Sequence, residues 1–159
     1  MRSVKRRRIE GKTDYKARLA LLKSGKARLV IRKTNNYIIV QFVESDIAQD
    51  KVILGLNSSV LLSKGWPKEK TGSLKSIPAA YLTGLMLGNL AKSKIKEAVL
   101  DIGVHRNVKK SRIYAALKGV IDSGLSVPHS EEALPSLESM NPEIKKIFDK
   151  VKSAIKEAK

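Results

Sequence analysis

Apolar and polar residues alternate through the segment RLVIRKTNNYIIVQFV at 28–43, and this period of two predicts a β-hairpin. Asn35 and Asn36 are the predicted loop residues, because asparagine tolerates the positive φ that a two-residue turn requires. Such a turn places Leu29 opposite Phe42 and buries one face of both strands. The residues predicted to share that core face are Leu29, Ile31, Ile38, Val40 and Phe42.

Apolar residues recur every three to four positions in other segments, which predicts helices there. Thr13 is the candidate cap of the first helix, and Gly25 suits the position just after its end. The helix over 78–94 is apolar nearly all round, so we expect it to be buried, with Gly84 and Gly88 allowing another element to approach its backbone. The predicted elements are helices over 14–24, 78–94, 111–124 and 142–159, strands over 28–34, 37–43, 51–56 and 97–103, and a loop over 63–76.

The order of these elements predicts an α/β domain with a mixed sheet. Three strands follow one another antiparallel, and a crossover helix then leads to a fourth strand that the handedness rule places parallel to the first. We predict a three-layer core domain over 13–128. A basic arm over 1–12, without secondary structure, precedes it, and a C-terminal segment over 129–159 with an amphipathic helix follows it.

The bulk composition is that of a globular protein. The chain has 159 residues, of which 42% are hydrophobic, and this is enough for a core. No apolar run is long enough to span a membrane, and the charged start lacks the apolar segment of a secretory signal. Cysteine is absent, which removes disulfides and thiolate metal ligands and fits a cytosolic protein.

Charge is the outlying property of the sequence. The chain has 32 basic and 15 acidic residues, for a formal net charge of +17. Residues 1–34 alone hold 13 basic and 2 acidic side chains, whereas residues 129–159 hold equal numbers. A net charge this large and this uneven favours a polyanionic partner over a merely solvated surface. A membrane surface is the weaker alternative, because the arm has no apolar helical face that could insert.

The sequence carries no constellation typical of an enzyme. The GKT at 11–13 lacks the strand and the earlier glycine of a phosphate-binding loop, since Arg6 occupies the glycine position. Neither His105 nor His129 has a carboxylate or second histidine at metal-ligand spacing. The strand order also occurs in ribonuclease-H-like enzymes, but their two-metal hydrolysis needs several converging carboxylates, and here Asp101 ends the last strand alone. We therefore predict no enzymatic activity, no metal, no cofactor and no small-molecule substrate.

The basic side chains form three groups that suit RNA phosphates. The arm can follow a groove and become ordered on binding, and the hairpin holds its cations at fixed spacing. The segment HRNVKKSR at 105–112 places cations at the start of a helix, where they oppose the helix dipole. A bound phosphate would relieve that repulsion, and a solvated loop is the alternative. Tyr37 and Trp66 could stack on bases, although Trp66 is also a candidate core anchor.

Four segments in this order and spacing resemble one family: RLVIRKTNNYIIVQ, IPAAYLTGLMLG, AVLDIG and AALKGVIDSGLSVPHSEEALP. They are similar to the archaeal and eukaryotic branch of the 5S-rRNA-binding large-subunit ribosomal proteins, numbered eighteen in bacteria and archaea and five in eukaryotes. The PAAYLTG block favours the archaeal type. The resemblance covers about residues 1–140.

The resemblance implies a ribonuclease-H-like fold without catalysis. It also implies a cytoplasmic protein of the large ribosomal subunit that binds 5S rRNA and attaches it to 23S rRNA, beside neighbouring proteins of the central protuberance. A general RNA-binding protein or RNA chaperone using the same charge is the alternative. From the basic groups and the resemblance together, the candidate RNA-binding residues are Arg2, Lys5, Arg6, Arg7, Arg8, Lys12, Tyr15, Arg28, Arg32, Lys33, Thr34, Tyr37, Arg106, Lys109, Lys110 and Arg112.

Overall fold

Four strands form one mixed sheet in the computed structural model, which describes residues 4–46, 49–137 and 142–157. The strands are β1 (Ala27–Lys33), β2 (Ile38–Asp46), β3 (Gln49–Asn57) and β4 (Ala98–Asp101). They lie in the order β3-β2-β1-β4, with β2 antiparallel to both β1 and β3, and β4 parallel to β1. The predicted α/β class and the parallel fourth strand are therefore confirmed.

The hairpin has the predicted register but a different turn. Leu29 pairs with Phe42, and the five predicted core-facing residues are fully buried. Among the described non-glycine residues only Lys110 has a positive φ, so the prediction of positive φ at Asn35 or Asn36 is wrong. The Thr34 side chain closes the turn instead, because its Oγ1 lies 2.9 Å from both the main-chain nitrogen and the main-chain oxygen of Tyr37.

The helices agree with the predicted ones to within a few residues, with two exceptions. A single helical turn lies in the arm, so the prediction that residues 1–12 lack secondary structure is wrong at 6–9. Much of the predicted loop at 63–76 is 3-10 helix. The α-helices are α1 (Arg6–Ile9), α2 (Tyr15–Lys23), α3 (Ile77–Ala91), α4 (Arg112–Asp122) and α5 (Pro142–Glu157), and 3-10 helices cover Ser58–Lys64, Lys68–Lys75 and Glu131–Ala133.

Asp14, and not the predicted Thr13, caps the start of α2. Its carboxylate accepts hydrogen bonds from the main-chain nitrogens of Lys16 and Ala17 at 2.9 and 3.1 Å. A carboxylate in this position also interacts favourably with the positive end of the helix dipole. Gly25 follows the helix with a φ of 64°, as its predicted C-terminal position requires.

Helix α3 packs against α4 through glycines on both helices. A Cβ at Gly84 would overlap the main-chain oxygen of Ala116, and a Cβ at Gly88 would overlap the side chain of Ser123. Gly119 on α4 is equally close to the backbone of α3 at Tyr81. The prediction that Gly84 and Gly88 permit close backbone approach is therefore confirmed.

Two apolar clusters form the core. The first lies between the sheet and helices α3 and α4, and includes the five buried hairpin residues. The second lies between α3, α5 and the 3-10 segments, and it is centred on Trp66, Phe148 and Val151. Helix α5 is thus part of the packed structure, although it falls in the predicted C-terminal segment. No helix among the described residues is long and apolar enough to cross a membrane.

Candidate nucleic-acid interface

Arg28 lies buried at the centre of an ion-pair cluster on the sheet. Its Nη1 is 3.1 Å from Oδ2 of Asp101, and its Nη2 is 2.7 Å from Oδ1 of Asp50 and 2.9 Å from Oγ of Ser45. Only 3% of the side chain is exposed, so its charge is compensated inside the protein. This burial does not fit the prediction that Arg28 contacts RNA. The side chain instead joins β1 to β3 and β4.

Arg32 occupies the outer end of the same cluster and remains about one third exposed. Its Nη2 is 2.9 Å from Oδ1 of Asp101, and its Nη1 is 2.6 Å from the main-chain oxygen of that residue. The guanidinium also lies against Gly103, where a Cβ would come within 2.9 Å of Cζ. These contacts hold the Arg32 guanidinium in one orientation at the surface.

Asp50 ties helix α2 to this cluster, because its Oδ2 is 2.7 Å from Nη2 of Arg18. Burial by itself would raise the pKa of Asp50, but hydrogen bonds from Ser45, Arg18 and Arg28 outweigh it and lower the pKa to about 2. The carboxylate is therefore ionised at neutral pH and can compensate both arginines.

The exposed end of the hairpin carries Lys33 and Thr34. The main-chain nitrogen of Lys33 donates to Nε2 of His105, at 3.2 Å, which connects the hairpin to the loop before α4. Burial lowers the pKa of His105, and the charges of Arg32 and Lys33 lower it further, so the ring is neutral at pH 7. Tyr37 packs against the second apolar cluster and keeps part of its surface exposed.

The arm presents its basic side chains to solvent. Glu10 pairs with Nε of Arg6 at 2.7 Å and with Nζ of Lys12 at 2.8 Å. The hydrogen bond from Lys12, and then that from Arg6, lowers the pKa of Glu10. Arg2, also predicted to bind RNA, lies outside the described residues.

Contacts from the arm reach helix α2. Nζ of Lys5 lies 4.4 Å from the centre of the Tyr15 ring, and Nε of Arg7 donates to Oγ1 of Thr13 at 2.9 Å. Arg8 lines a cleft of about 440 Å³ that Tyr15 also lines. The predicted residues Lys5, Arg7, Arg8 and Tyr15 are therefore brought together around the start of α2.

A second cleft joins the arm to the hairpin. It has a volume of about 470 Å³, and both Lys12 and Arg32 line it. A third cavity, of about 410 Å³, continues from Lys33 to Arg106 and Arg112 beside the start of α4. Cations from three segments that are distant in sequence thus line these clefts, and we refer to the clefts together as the basic surface.

The cations of the loop before α4 and of its first turn differ in their contacts and exposure. Lys109 is exposed and pairs with Glu132 at 2.9 Å. Lys110 is exposed, and its backbone lies in the left-handed region with a φ of 59°. Arg106 and Arg112 line the third cavity, and neither has a carboxylate partner among the described residues.

The sequence did not indicate that a carboxylate pairs with the arginines of this surface. Asp101 accepts a hydrogen bond from the main-chain nitrogen of Gly103 at 2.8 Å, and it also pairs with two arginines. An arginine inside a strand that is largely buried needs acidic partners, but the sequence does not show which residues they are. Trp66 is 3% exposed, which confirms the alternative prediction of a core anchor.

The fold and this surface define the class of the protein: a small, strongly basic α/β domain whose cations project from a rigid sheet and from the segments beside it. Within the described residues, no group of three or more histidine, aspartate or glutamate side chains is placed to hold a metal ion. Comparison with known proteins identifies the family. A model described as ribosomal large subunit proteins 60S L5 and 50S L18 matches residues 1–97 and 90–130, and the chain belongs to this family.

Three archaeal relatives carry the name large ribosomal subunit protein uL18. The protein of Korarchaeum cryptofilum is 54% identical over 131 residues, which are 82% of this chain and 65% of the relative. The proteins of Aeropyrum pernix and Caldivirga maquilingensis are 49% and 46% identical, each over 140 residues and 87% of this chain. The predicted archaeal type is therefore confirmed. The match covers 64–66% of the length of these relatives, which is less than two thirds.

Proposed function

We propose that this chain is a structural, non-catalytic constituent of the large ribosomal subunit in the cytoplasm. In this role it binds 5S rRNA and helps to attach it to 23S rRNA in the central protuberance, beside neighbouring ribosomal proteins. Membership of the large-subunit family supports the ribosomal part of the proposal. The observation that carries the RNA part is the set of clefts lined by cations of the arm, the end of the hairpin and the start of α4.

The geometry of this surface suits folded RNA. Arg32 is held rigidly by Asp101, so it can match only a phosphate array of one shape. The arm side chains are exposed around a single helical turn and can adapt to many arrays. The rigidly held Arg32 would give selectivity for one RNA shape, and the adaptable arm would add affinity.

The strand order β3-β2-β1-β4, with β4 parallel to β1, supports the ribonuclease-H-like arrangement that the family resemblance implies. The carboxylates that flank Arg28, on the two edge strands β3 and β4, support a non-catalytic role. Asp50 and Asp101 both pair with Arg28, so their charges are already compensated by the protein. In this proposal the sheet serves as a rigid support for the cations.

Binding to 5S rRNA in the presence of excess competitor RNA tests the proposal. We expect the chain to retain 5S rRNA while random RNA of equal length is displaced. Equal retention of both RNAs would favour the alternative, a general RNA-binding protein or chaperone. If about 6–10 phosphates are contacted, affinity should fall by about 10³ to 10⁵ between about 50 and 200 mM salt, and a flat response would contradict a charge-based interface.

A further inference from the structure

The third cavity differs from the rest of the basic surface in being both concave and without acidic residues. Its volume is about 410 Å³, and its basic and titratable lining residues are Lys33, His105, Arg106 and Arg112. No aspartate or glutamate lines it. Within the described residues, none of its three cations has a carboxylate within 4.0 Å, whereas Lys109 in the same loop is paired with Glu132. The cavity is thus a local concentration of uncompensated positive charge.

One polar side chain of the cavity, that of Ser111, also lacks a hydrogen-bond partner among the described residues. Ser111 precedes α4 and lines the cavity, but its side chain makes no capping hydrogen bond. Its Oγ is buried and has no hydrogen-bond partner among the described residues. A buried hydroxyl without a partner is costly, and native proteins rarely keep one. An oxygen-bearing ligand would satisfy this hydroxyl.

The start of α4 also favours binding of an anion. The first turn of this eleven-residue helix contains no acidic residue, and Arg112 stands there against the helix dipole. The comparable start of α2 is already satisfied, because Asp14 accepts hydrogen bonds from Lys16 and Ala17. The two helices can therefore be compared, because a side chain caps the start of α2 and no side chain caps the start of α4.

We propose that this cavity binds one phosphate group of the RNA backbone. Arg106, Arg112 and Lys33 would supply its positive charge, and Ser111 Oγ with the first main-chain nitrogens of α4 would supply hydrogen bonds. This inference rests on the proposed RNA-binding function and adds a discrete site to it, including Ser111, which the sequence did not suggest. A phosphate fits better than a carboxylate, because three cations and a helix start offer more donors than a carboxylate can use.

Inorganic phosphate is the first probe, with main-chain amide signals followed by nuclear magnetic resonance at constant ionic strength. We expect saturable shifts at Ser111, Arg112 and Ile113, and none at Lys16 and Ala17. Acetate should produce smaller shifts at the same concentration. Equal shifts at both helix starts, linear shifts without saturation, or an equal response to acetate would overturn the proposal.

Variants of the full chain provide the second test. Arg112→Ala should weaken 5S rRNA binding by about tenfold, because it removes a charged contact to the phosphate. Lys145→Ala is the control, since it removes the same charge from an exposed position of α5, outside the candidate RNA-binding residues, and it should change affinity by about threefold or less. Equal losses in the two variants, with 5S rRNA still preferred by the unaltered chain, would refute the cavity and leave the proposed function standing.

Ser111→Ala separates binding from folding. Because no group among the described residues hydrogen-bonds to Oγ, the thermal midpoint should stay the same or rise, while 5S rRNA binding weakens by about threefold or more. A fall in the midpoint with unchanged RNA affinity would assign Ser111 to helix capping and overturn its role in the site. Failure of the unaltered chain to prefer 5S rRNA at all would instead count against the proposed function.

Discussion

Arg32 is bound to both the side chain and the main chain of Asp101, with Nη2 2.9 Å from Oδ1 and Nη1 2.6 Å from the main-chain oxygen. The other carboxylate oxygen of Asp101 faces the buried Arg28. One acidic residue thus connects an arginine that stabilises the sheet with an arginine that reaches the surface. This connection makes Asp101 a positioning residue for the proposed RNA interface.

Asp101→Asn should affect stability and selectivity together. It removes one of two acidic partners of Arg28, and we expect the free energy of unfolding to fall by about 3 kcal/mol. Arg32 would also lose its ion pair and keep only hydrogen bonds to an uncharged residue, so its orientation would be held less firmly and the preference for 5S rRNA over random RNA should decrease. Urea unfolding and competition binding measure the two effects. Glu97→Gln is the control, because it removes the same charge from an exposed pair with Lys26, and equal effects of the two variants would contradict the positioning role.

The hairpin and the arm should contribute differently to RNA binding. Replacing Arg32 and Lys33 by alanine should reduce the preference for 5S rRNA, since rigid donors are left unpaired by an RNA of the wrong shape. Replacing Arg6, Arg7 and Arg8 should weaken binding to specific and random RNA by similar factors. Both variants are to be compared as affinity ratios at one salt concentration. An equal loss of preference in the two variants would contradict a selective role of the hairpin, and would mean that it contributes only positive charge.

The contact between α3 and α4 leaves no room at Gly84. Gly84→Ala adds a methyl group that overlaps the Ala116 main chain, so the helices must separate, and the free energy of unfolding should fall by about 2 kcal/mol or more. The higher helix propensity of alanine, about 1 kcal/mol, does not offset this overlap. Gly72→Ala is the control, since a Cβ there has no atom within 4 Å. Similar stability of the two variants in urea unfolding would contradict the close packing.

Phe148 on α5 should contribute strongly to stability, because it is 4% exposed and lies 5.5 Å from the Tyr81 ring between centroids. Phe148→Ala should lower the free energy of unfolding by about 3 kcal/mol. Lys145→Ala, on an exposed position of the same helix, should change it by about 0.5 kcal/mol or less. If Phe148→Ala had as small an effect, α5 would not be part of the folded core.

Acid should weaken the protein through Asp50. Its folded pKa of about 2 lies below the ordinary value of 3.8, so its contribution is complete above about pH 4 and is lost as pH falls towards 2. After allowance for solvent screening, this contribution is about 1 kcal/mol. Asp50→Asn should therefore lower the free energy of unfolding at pH 7 and flatten its decrease below pH 4, as measured by urea unfolding. Asp46→Asn, at an exposed end of β2, should leave the decrease unchanged.

The sequence by itself determined the hairpin and its core face. Side chains alternate with a period of two along a strand, so the positions of Leu29, Ile31 and Phe42 specify one buried face once the loop length is known. The two glycines of α3 likewise specified a close helix contact, because glycine lacks the Cβ that would prevent it. These are local properties, and no distant residue was needed to predict them.

The tertiary structure decided which basic residues are available to a partner. Arg28 and Lys33 lie on the same strand, yet Arg28 is buried between Asp50 and Asp101, which are 22 and 73 residues away in sequence. Only the pairing of β4 with β1 and the return of β3 bring those carboxylates to it. The cavity that joins Lys33 to Arg112 arises in the same way. Coulomb and hydrogen-bond partners depend on distances in space, and local sequence patterns do not contain those distances.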